Sequence, residues 1–251
     1  MKKILTLAML LSASTVQADS LGESCPIDIK NEVHVSSQQM SVYQHGEAKV
    51  VIDDNNDVYV NGEKLSLDSA QQNALDSYHS NVDKYLPKVV AIADDGVDVA
   101  KEIFDDVVAK FDSEASFSAA KEKIAQLGDE IHNEFYNNDD FVLKADAFKD
   151  VVTTGRSKLE TAMESMNTEF MAGAFHAFTE KMSQEGGLNF TELQEKVAEL
   201  QSSIKAKVKE HQGEFKQQGE QYCDSVKALA EEEKQLHRTI PELENYPVFS
   251  I

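Results

Sequence analysis

Hydrophobic residues change their spacing once along this chain, near residue 67. Before that point they alternate with polar residues, which is the spacing of a β-strand with one buried face. The alternating positions are Ile27, Ile29, Val33, Val35, Val58 and Val60. Polar clusters separate these runs, and Asn61-Gly62 is a pair that suits a type I′ hairpin turn. The pattern therefore predicts a small antiparallel sheet of three to five short strands.

From residue 68 onward the apolar spacing becomes about 3.6 residues, which is typical of amphipathic helices. A first helix is predicted to begin at Ser66 or Asp68, since both are N-capping residue types. Pro87 suits the first turn of a second helix, and Asp112-Ser113 is a start signal for a third. The apolar stripe predicted for the second helix consists of Val89, Ile92, Gly96, Ala100, Ile103, Val107 and Phe111.

Two longer helices are predicted after these. The fourth begins at Phe141 and ends before Gly186-Gly187. In the fifth, apolar residues recur every eleven positions, which is about 3.67 residues per turn and close to an unstrained helix. The residues of that repeat are Leu193, Ile204, Phe215 and Val226. This period favours long, nearly straight helices packed antiparallel over a two-chain coiled coil.

The sequence therefore predicts a mainly α (α+β) fold, with a small N-terminal antiparallel β-sheet followed by a body of long antiparallel amphipathic helices. The sheet region is expected at 19–67, the helical body at 68–239 and a tail at 240–251. Residues 19–251 are expected to form one folded unit. The tail after Pro241 is apolar, and two alternatives stay open for it: it is loose, or it docks on a helix groove or a sheet edge.

Residues 1–18 have the composition of a signal peptide. A basic pair at 2–3 precedes an apolar run at 4–11, and small residues end the segment. Cleavage is predicted between Ala18 and Asp19. The apolar run is much shorter than the roughly 20 residues that span a bilayer, so a transmembrane anchor is not expected. The mature chain is expected in the bacterial periplasm.

Acidic residues dominate the composition. The chain has 45 Asp and Glu against 24 Lys and Arg, a formal net charge of −21. Loss of residues 1–18 removes two lysines and leaves 22 basic residues, so the mature net charge is −23. Such a field repels nucleic acid and anionic lipid surfaces. Nucleic acid is therefore not expected as a partner, and the simplest interpretation of the charge is solubility.

The acidic segment 53–57, with sequence DDNND, is rich in oxygen ligands and invites comparison with a calcium loop. An EF-hand loop that begins at Asp53 needs Gly at its sixth position and Glu at its twelfth. Val58 and Lys64 occupy those positions, and strands are predicted on both sides. Asp and Asn are also ordinary turn residues. We interpret the segment as a hairpin turn and predict no metal site.

The sequence contains no recognised catalytic or cofactor-binding motif. None of the seven histidines belongs to an H-E-x-x-H or H-x-H pattern, and neither a nucleophile elbow nor a P-loop is present. His176 and His211 lie on or near apolar stripes and are interpreted as hydrogen-bonded core residues. No catalytic, cofactor-binding or metal residue is assigned. A hydrolase with an unrecognised site stays open as an alternative.

Aromatic and methionine side chains are numerous along the predicted fourth helix. Core packing is the default interpretation, and the alternative is an adaptable groove that accepts a partner or an apolar ligand such as a lipid chain. The residues concerned are Phe141, Phe148, Met163, Met166, Phe170, Met171, Phe175, Phe178 and Met182.

Cys25 and Cys223 are the only cysteines, and both follow the predicted cleavage point. Because the periplasm keeps such pairs oxidised, we predict a disulfide between them that ties the sheet region to the fifth helix. Two separate thiols, buried or bridging two chains, are the alternative.

The layout of the chain resembles the YggN-like family of bacterial periplasmic proteins. The resemblance is carried by a signal peptide, an early Cys, the stretch VVIDDNNDVYVNGEKLSLDSAQ and the late stretch QYCDSVKAL. This sequence departs from the family in its acidic turn and in the tail after Pro241. The resemblance implies compartment and fold and supplies no catalytic residues. The expected function is that of a non-enzymatic interaction, chaperone-like or envelope-associated factor with an unknown envelope protein as partner.

Overall fold

A computed structural model describes residues 25–111, 114–138, 140–150, 168–170, 172–177, 179–180 and 190–250. Within these ranges an N-terminal antiparallel sheet is followed by long helices, which confirms the predicted mainly α (α+β) fold class.

Within the part of the chain that the structure describes, nine short strands lie in two antiparallel sheets. Seven of them form one sheet in the order β6-β5-β4-β3-β2-β8-β7, and β1 pairs with β9 in the other. The strands are β1 Asp28–Ile29, β2 Glu32–Val35, β3 Gln39–Gln44, β4 Glu47–Asp53, β5 Val58–Val60, β6 Glu63–Lys64, β7 Tyr136–Asn137, β8 Asp140–Leu143 and β9 Phe249–Ser250. Asn61 and Gly62 have φ values of 51° and 83°, and this pair of positive φ values suits the type I′ turn predicted between β5 and β6.

Strand β8 contradicts the predicted start of the fourth helix. Phe141 pairs with Val35, and Leu143 pairs with Val33, so the segment extends the N-terminal sheet beyond β2. The side chains of Phe141 and Leu143 enter the same core as β2. The run Phe-Val-Leu is too short for its period to distinguish a strand from a helix, and pairing with β2 decides the outcome.

Five helices and two 3₁₀ turns have defined bounds within the described chain. The helices are α1 Ser69–Tyr85, α2 Lys88–Phe111, α3 Ser118–Phe135, α4 Ala147–Asp150 and α5 Phe190–Thr239, and the 3₁₀ turns are Ala115–Phe117 and Pro241–Leu243. Residues 168–170, 172–177 and 179–180 are also helical. The 50-residue helix α5 is about 75 Å long at 1.5 Å per residue.

Helix α1 begins with a capping box at Asp68, one of the two predicted caps. The Asp68 carboxylate accepts hydrogen bonds from the backbone N–H of Ala70 at 2.8 Å and of Gln71 at 2.9 Å. The Gln71 side chain in turn accepts from the Asp68 N–H at 2.9 Å. These bonds satisfy donors that the first helical turn leaves without intrahelical partners.

Helix α2 buries a different stripe from the predicted one. Val90, Val97 and Phe104 are buried together with Val107, and only Val107 belongs to the predicted set. Both stripes have helical spacing, and they differ by a rotation of roughly 70° around the helix axis. Ala100 and Ile103 of the predicted stripe are therefore still partly buried against the helical core. The packing of α2 against α3 and α5 selects the stripe that is buried.

The buried residues form two hydrophobic clusters. The sheet core lies between the seven-stranded sheet, α1 and the C-terminal half of α5, and includes Val33, Ile52, Leu75, Val82 and Leu229. The helical core lies between α2, α3 and the helical residues near 174. Its buried members are Val97, Phe104, Val107, Phe117, Ala120, Ile124, Ala174 and Ala177.

Gly173 lies at a close contact of the helical core. A Cβ atom added there would lie 2.5 Å from the carbonyl oxygen of Ser116 and 2.6 Å from Cδ1 of Phe117. Glycine therefore lets the helical residues 172–177 approach the backbone of the first 3₁₀ turn.

Candidate functional site

Cys25 and Cys223 form the predicted disulfide, with their Cα atoms 5.6 Å apart. The bond joins the segment before β1 to the interior of α5. Nearby, the Tyr222 hydroxyl donates to the carbonyl of Leu86 at 3.2 Å, and the Tyr222 ring packs edge-on against Phe148. The bond thus lies at a junction of α5 with β1, α4 and the α1–α2 corner. Ala18 and Asp19 lie outside the described residues, so the cleavage point stays a prediction.

The acidic segment 53–57 is the turn of the β4–β5 hairpin. The Asp53 carboxylate accepts from the backbone N–H of Asn55 at 3.0 Å and of Asp57 at 2.9 Å, while Asp57 forms an ion pair with Lys64. The carboxylates of Asp53 and Asp57 therefore already have partners within the turn and on β6. Asn56 has φ 57° and joins the turn to α1 through a 2.6 Å hydrogen bond between its Oδ1 and Nδ1 of His79.

The two histidines predicted to lie in the core behave differently from each other. The side chain of His176 is 71% exposed and has its Nδ1 3.1 Å from the Ser116 hydroxyl, so the core interpretation is wrong for it. His211 is partly buried, with Nε2 3.4 Å from a Glu102 oxygen. Helical spacing gave both residues the same assignment, but the side of the helix that neighbours cover differs between them.

The Phe and Met residues of the predicted fourth helix do not share one groove within the described residues. Phe141 and Phe148 pack in or against the sheet core, and Phe170 packs against the helical core. Phe175 points outward with 66% of its surface exposed. The side chains of Met163, Met166, Met171, Phe178 and Met182 lie outside what the structure describes.

The apolar stripe of α5 is covered unequally along its length. In the C-terminal half, Val226, Leu229 and Leu236 are at most 3% exposed. In the N-terminal half the stripe continues with helical spacing, but each of its described members is only partly buried. These members are Val197, Ile204, Val208 and Phe215, and we call them the α5 stripe.

Charged and polar pairs join α2 to the partly covered half of α5. Lys207 pairs with Glu102 and lies 3.4 Å from Asp106, and Gln218 donates to Asp95 at 2.8 Å. The hydrogen bond with Glu102 raises the pKa of Lys207, and the same bond lowers the pKa of Glu102. Ion pairs that water screens contribute little to stability, and Ile204 of α5 also packs, partly buried, against the helical core.

Sequence reasoning missed a buried carboxyl group in the C-terminal half of α5. Glu233 is 4% exposed and accepts three hydrogen bonds, from the Tyr78 hydroxyl at 3.0 Å and from the backbone N–H of Val248 at 2.7 Å and of Phe249 at 3.1 Å. Burial raises the pKa of Glu233 to about 7, although the three donors oppose that shift. Its position on the apolar side of the helix was the available signal, because 226, 229, 233 and 236 share helical spacing.

The described residues carry no group of three or more His, Cys, Asp or Glu arranged to hold a metal ion. Among the described helices, none combines the length and the hydropathy that crossing a membrane requires.

Comparison with known proteins gives one family. Residues 25–249 match the family model described as "Protein of unknown function (DUF2884)". The chain is also 26% identical over 243 residues to the "Uncharacterized protein YggN" of Escherichia coli K12, an alignment that covers 94% of this chain and 97% of that protein. YggN proteins from two other strains of Escherichia coli match to the same extent. No solved structure matches the chain.

Proposed function

The chain belongs to the DUF2884 family of proteins of unknown function, and from this premise we propose that it is a non-enzymatic periplasmic factor that binds an envelope protein through the helical surface formed by α2 and α5. The Cys25–Cys223 disulfide supports an oxidising compartment, because such bonds are rare in reducing ones. The predicted signal peptide agrees with that compartment.

The observation that carries the proposal is the partly covered α5 stripe. One helix with one apolar period is fully buried over its C-terminal half and only partly buried over the half that includes Ile204 and Val208. Apolar area that a fold leaves accessible contributes about 25 cal/mol per Å² when a partner covers it. An amphipathic helix or an unfolded segment of a partner gains this free energy by lying along the stripe.

The polar contacts between α2 and α5 support the same function. A partner that lies along the stripe competes with ion pairs such as Lys207 with Glu102 and with the partly buried contact between Ile204 and the helical core. Val197 and Val208 remain partly accessible beside these contacts.

Site-specific photo-crosslinking of the full chain in its own envelope tests the proposal. A photoreactive residue replaces Ile204 or Val208 on the stripe, and the control replaces Glu210, which is exposed and lies about 200° around α5 from Val208. We expect a discrete adduct from both stripe positions and none from the control. The captured protein, once purified, is then titrated against the mature chain and its Val208→Ser variant.

The proposal is supported if the unmodified mature chain binds the captured protein and Val208→Ser raises the Kd by about 10-fold or more. A 10-fold change in Kd corresponds to about 1.4 kcal/mol of binding free energy. Equal adducts at Glu210 and Val208 would count against a defined surface. Absence of stripe adducts, with the photoreactive chain folded and present in the envelope, would refute the proposal.

A further inference from the structure

The C-terminal strand β9 is held to the rest of the fold by two sets of contacts. On one side it pairs with β1, where the Lys30 N–H donates to the Val248 carbonyl at 2.7 Å and the Asn31 amide donates to the Pro247 carbonyl at 2.8 Å. On the other side the N–H groups of Val248 and Phe249 donate to the two carboxyl oxygens of Glu233. Strand β9 lies outside the ring that the disulfide closes, so these contacts hold it in place.

The carboxyl group of Glu233 has no cation in contact among the described residues. Lys30, from the turn between β1 and β2, acts on it only at a distance, and Tyr78 of α1 faces it as a hydroxyl donor. A carboxylate that is buried without a basic partner is disfavoured relative to its neutral form.

Two other titratable side chains of α5, those of Glu232 and His237, lie close to Glu233 along the helix. Glu232, the next residue on α5, accepts from Ser77 at 2.6 Å and from Asn81 at 2.9 Å. His237, one turn along α5, has its pKa lowered by burial, an effect that Glu244 of the tail opposes. Strand β9 itself presents only backbone N–H groups to the carboxyl group.

We propose that closure of β9 over β1 is coupled to proton uptake by Glu233, so that the C-terminal strand is held more firmly in acid than at neutral pH. Closure removes the Glu233 carboxyl group from water, and opening returns it to water. Closure also brings the two β9 N–H donors to the carboxyl group, and these donors favour its ionised form. Because no counter-ion comes with them, the loss of hydration outweighs the donors, and Glu233 binds its proton more tightly in the closed state. Rising pH therefore favours the open state.

The direction and size of the effect follow from linkage. The pKa of Glu233 is about 7 in the closed state and takes the ordinary value of 4.5 when the group is solvated. Below 4.5 both states are protonated and the closing equilibrium does not depend on pH. Between pH 4.5 and pH 7 the equilibrium constant for closing of β9 falls as the pH rises. From pH 5 to pH 8 this constant is expected to fall by about 70-fold.

Hydrogen exchange of the Val248 and Phe249 amides, in the full mature chain, measures this equilibrium directly. Protection factors corrected for the intrinsic exchange rate are expected to fall by about 70-fold from pH 5 to pH 8. Amides of the central strands β3 and β4 serve as an internal reference for global unfolding. The matched control is Glu232→Gln, which removes the same charge from the adjacent residue and is expected to keep the pH dependence.

Two variants of the carboxyl site test the assignment to Glu233. Glu233→Gln does not titrate, so its protection factors are expected to be constant over the same pH range. Tyr78→Phe removes one hydrogen-bond donor to the ionised carboxylate. The midpoint of the fall in protection factors with pH is therefore expected to move to higher pH. Constant protection in the wild type, or an unchanged profile in both variants, would overturn the proposal.

Discussion

Removal of the Cys25–Cys223 bond is expected to cause a large loss of stability that acts through the unfolded chain. The perturbation is the double variant Cys25→Ser with Cys223→Ser, which keeps the size of both side chains nearly unchanged. The two residues are 198 positions apart, so the bond closes a ring of most of the described fold. The chain-entropy relation gives about 5 kcal/mol for a ring of this size, and this is an upper value because unfolded chains retain structure.

Urea unfolding of the mature chain, followed by circular dichroism, gives the free energy of unfolding of both proteins. We expect a lower midpoint for the double variant and a melting temperature lower by roughly 10–20 °C, at about 2–4 °C per kcal/mol. The m-value is expected to rise, because the unbridged chain exposes more surface when it unfolds. Wild-type protein in reductant should behave as the variant does.

Intact mass after alkylation under denaturing conditions establishes that the wild type carries the bond. Two alkyl groups per chain without reductant would refute the bond itself, and a dimer that reductant dissolves would place it between chains. With the bond present within one chain, a stability loss below about 1 kcal/mol would refute the reasoning from ring size.

Three further predictions concern packing, capping and the acidic turn. Gly173→Ala is expected to destabilise the chain by about 1–3 kcal/mol because the first 3₁₀ turn leaves no room for a Cβ atom, whereas Gly213→Ala, with open space around it, should be neutral or stabilise by up to about 1 kcal/mol in thermal melts. Asp68→Ala is expected to lose about 1 kcal/mol in urea unfolding and Ser66→Ala much less, and equal losses would contradict the assigned cap. Calorimetry with calcium at neutral pH should give no saturable heat, because the Asp53 carboxylate already accepts two backbone N–H groups, and saturation at micromolar calcium would disprove the interpretation of the turn.

The sequence by itself determined those features that depend only on residues close to one another along the chain. The period of two before residue 67 produces strands, and the helical period after residue 68 produces α1, α2, α3 and α5, although not the start of a helix at Phe141. The Asp68 cap and the Asn61-Gly62 turn follow from side-chain bonding and from tolerated φ values, which do not depend on distant residues. The cysteine pairing needed only the count of two and an oxidising compartment.

Tertiary structure decided those features for which the local sequence allows two arrangements, such as strand or helix, or one side of a helix or another. Phe141 to Leu143 became a strand because β2 offered an edge to pair with, and α2 buries a stripe rotated from the predicted one because its neighbours cover that side. Apolar residues recur with one period along the described part of α5, yet only those in the C-terminal half are fully covered. Periodicity specifies which side of a helix is apolar, but the amount of that side removed from water depends on the elements packed against it.

The raised pKa of Glu233 is a property that no local pattern contains, although the spacing of 226, 229, 233 and 236 indicates the apolar side of the helix. In the sequence Glu233 is one of many glutamates in an acidic helix, between Glu232 and Lys234. Its burial comes from α1 on one side and from the C-terminal strand, and its three donors come from residues 155, 15 and 16 positions away. A pKa depends on hydration and on partners in space, so only the folded chain makes this carboxyl group different from its neighbours.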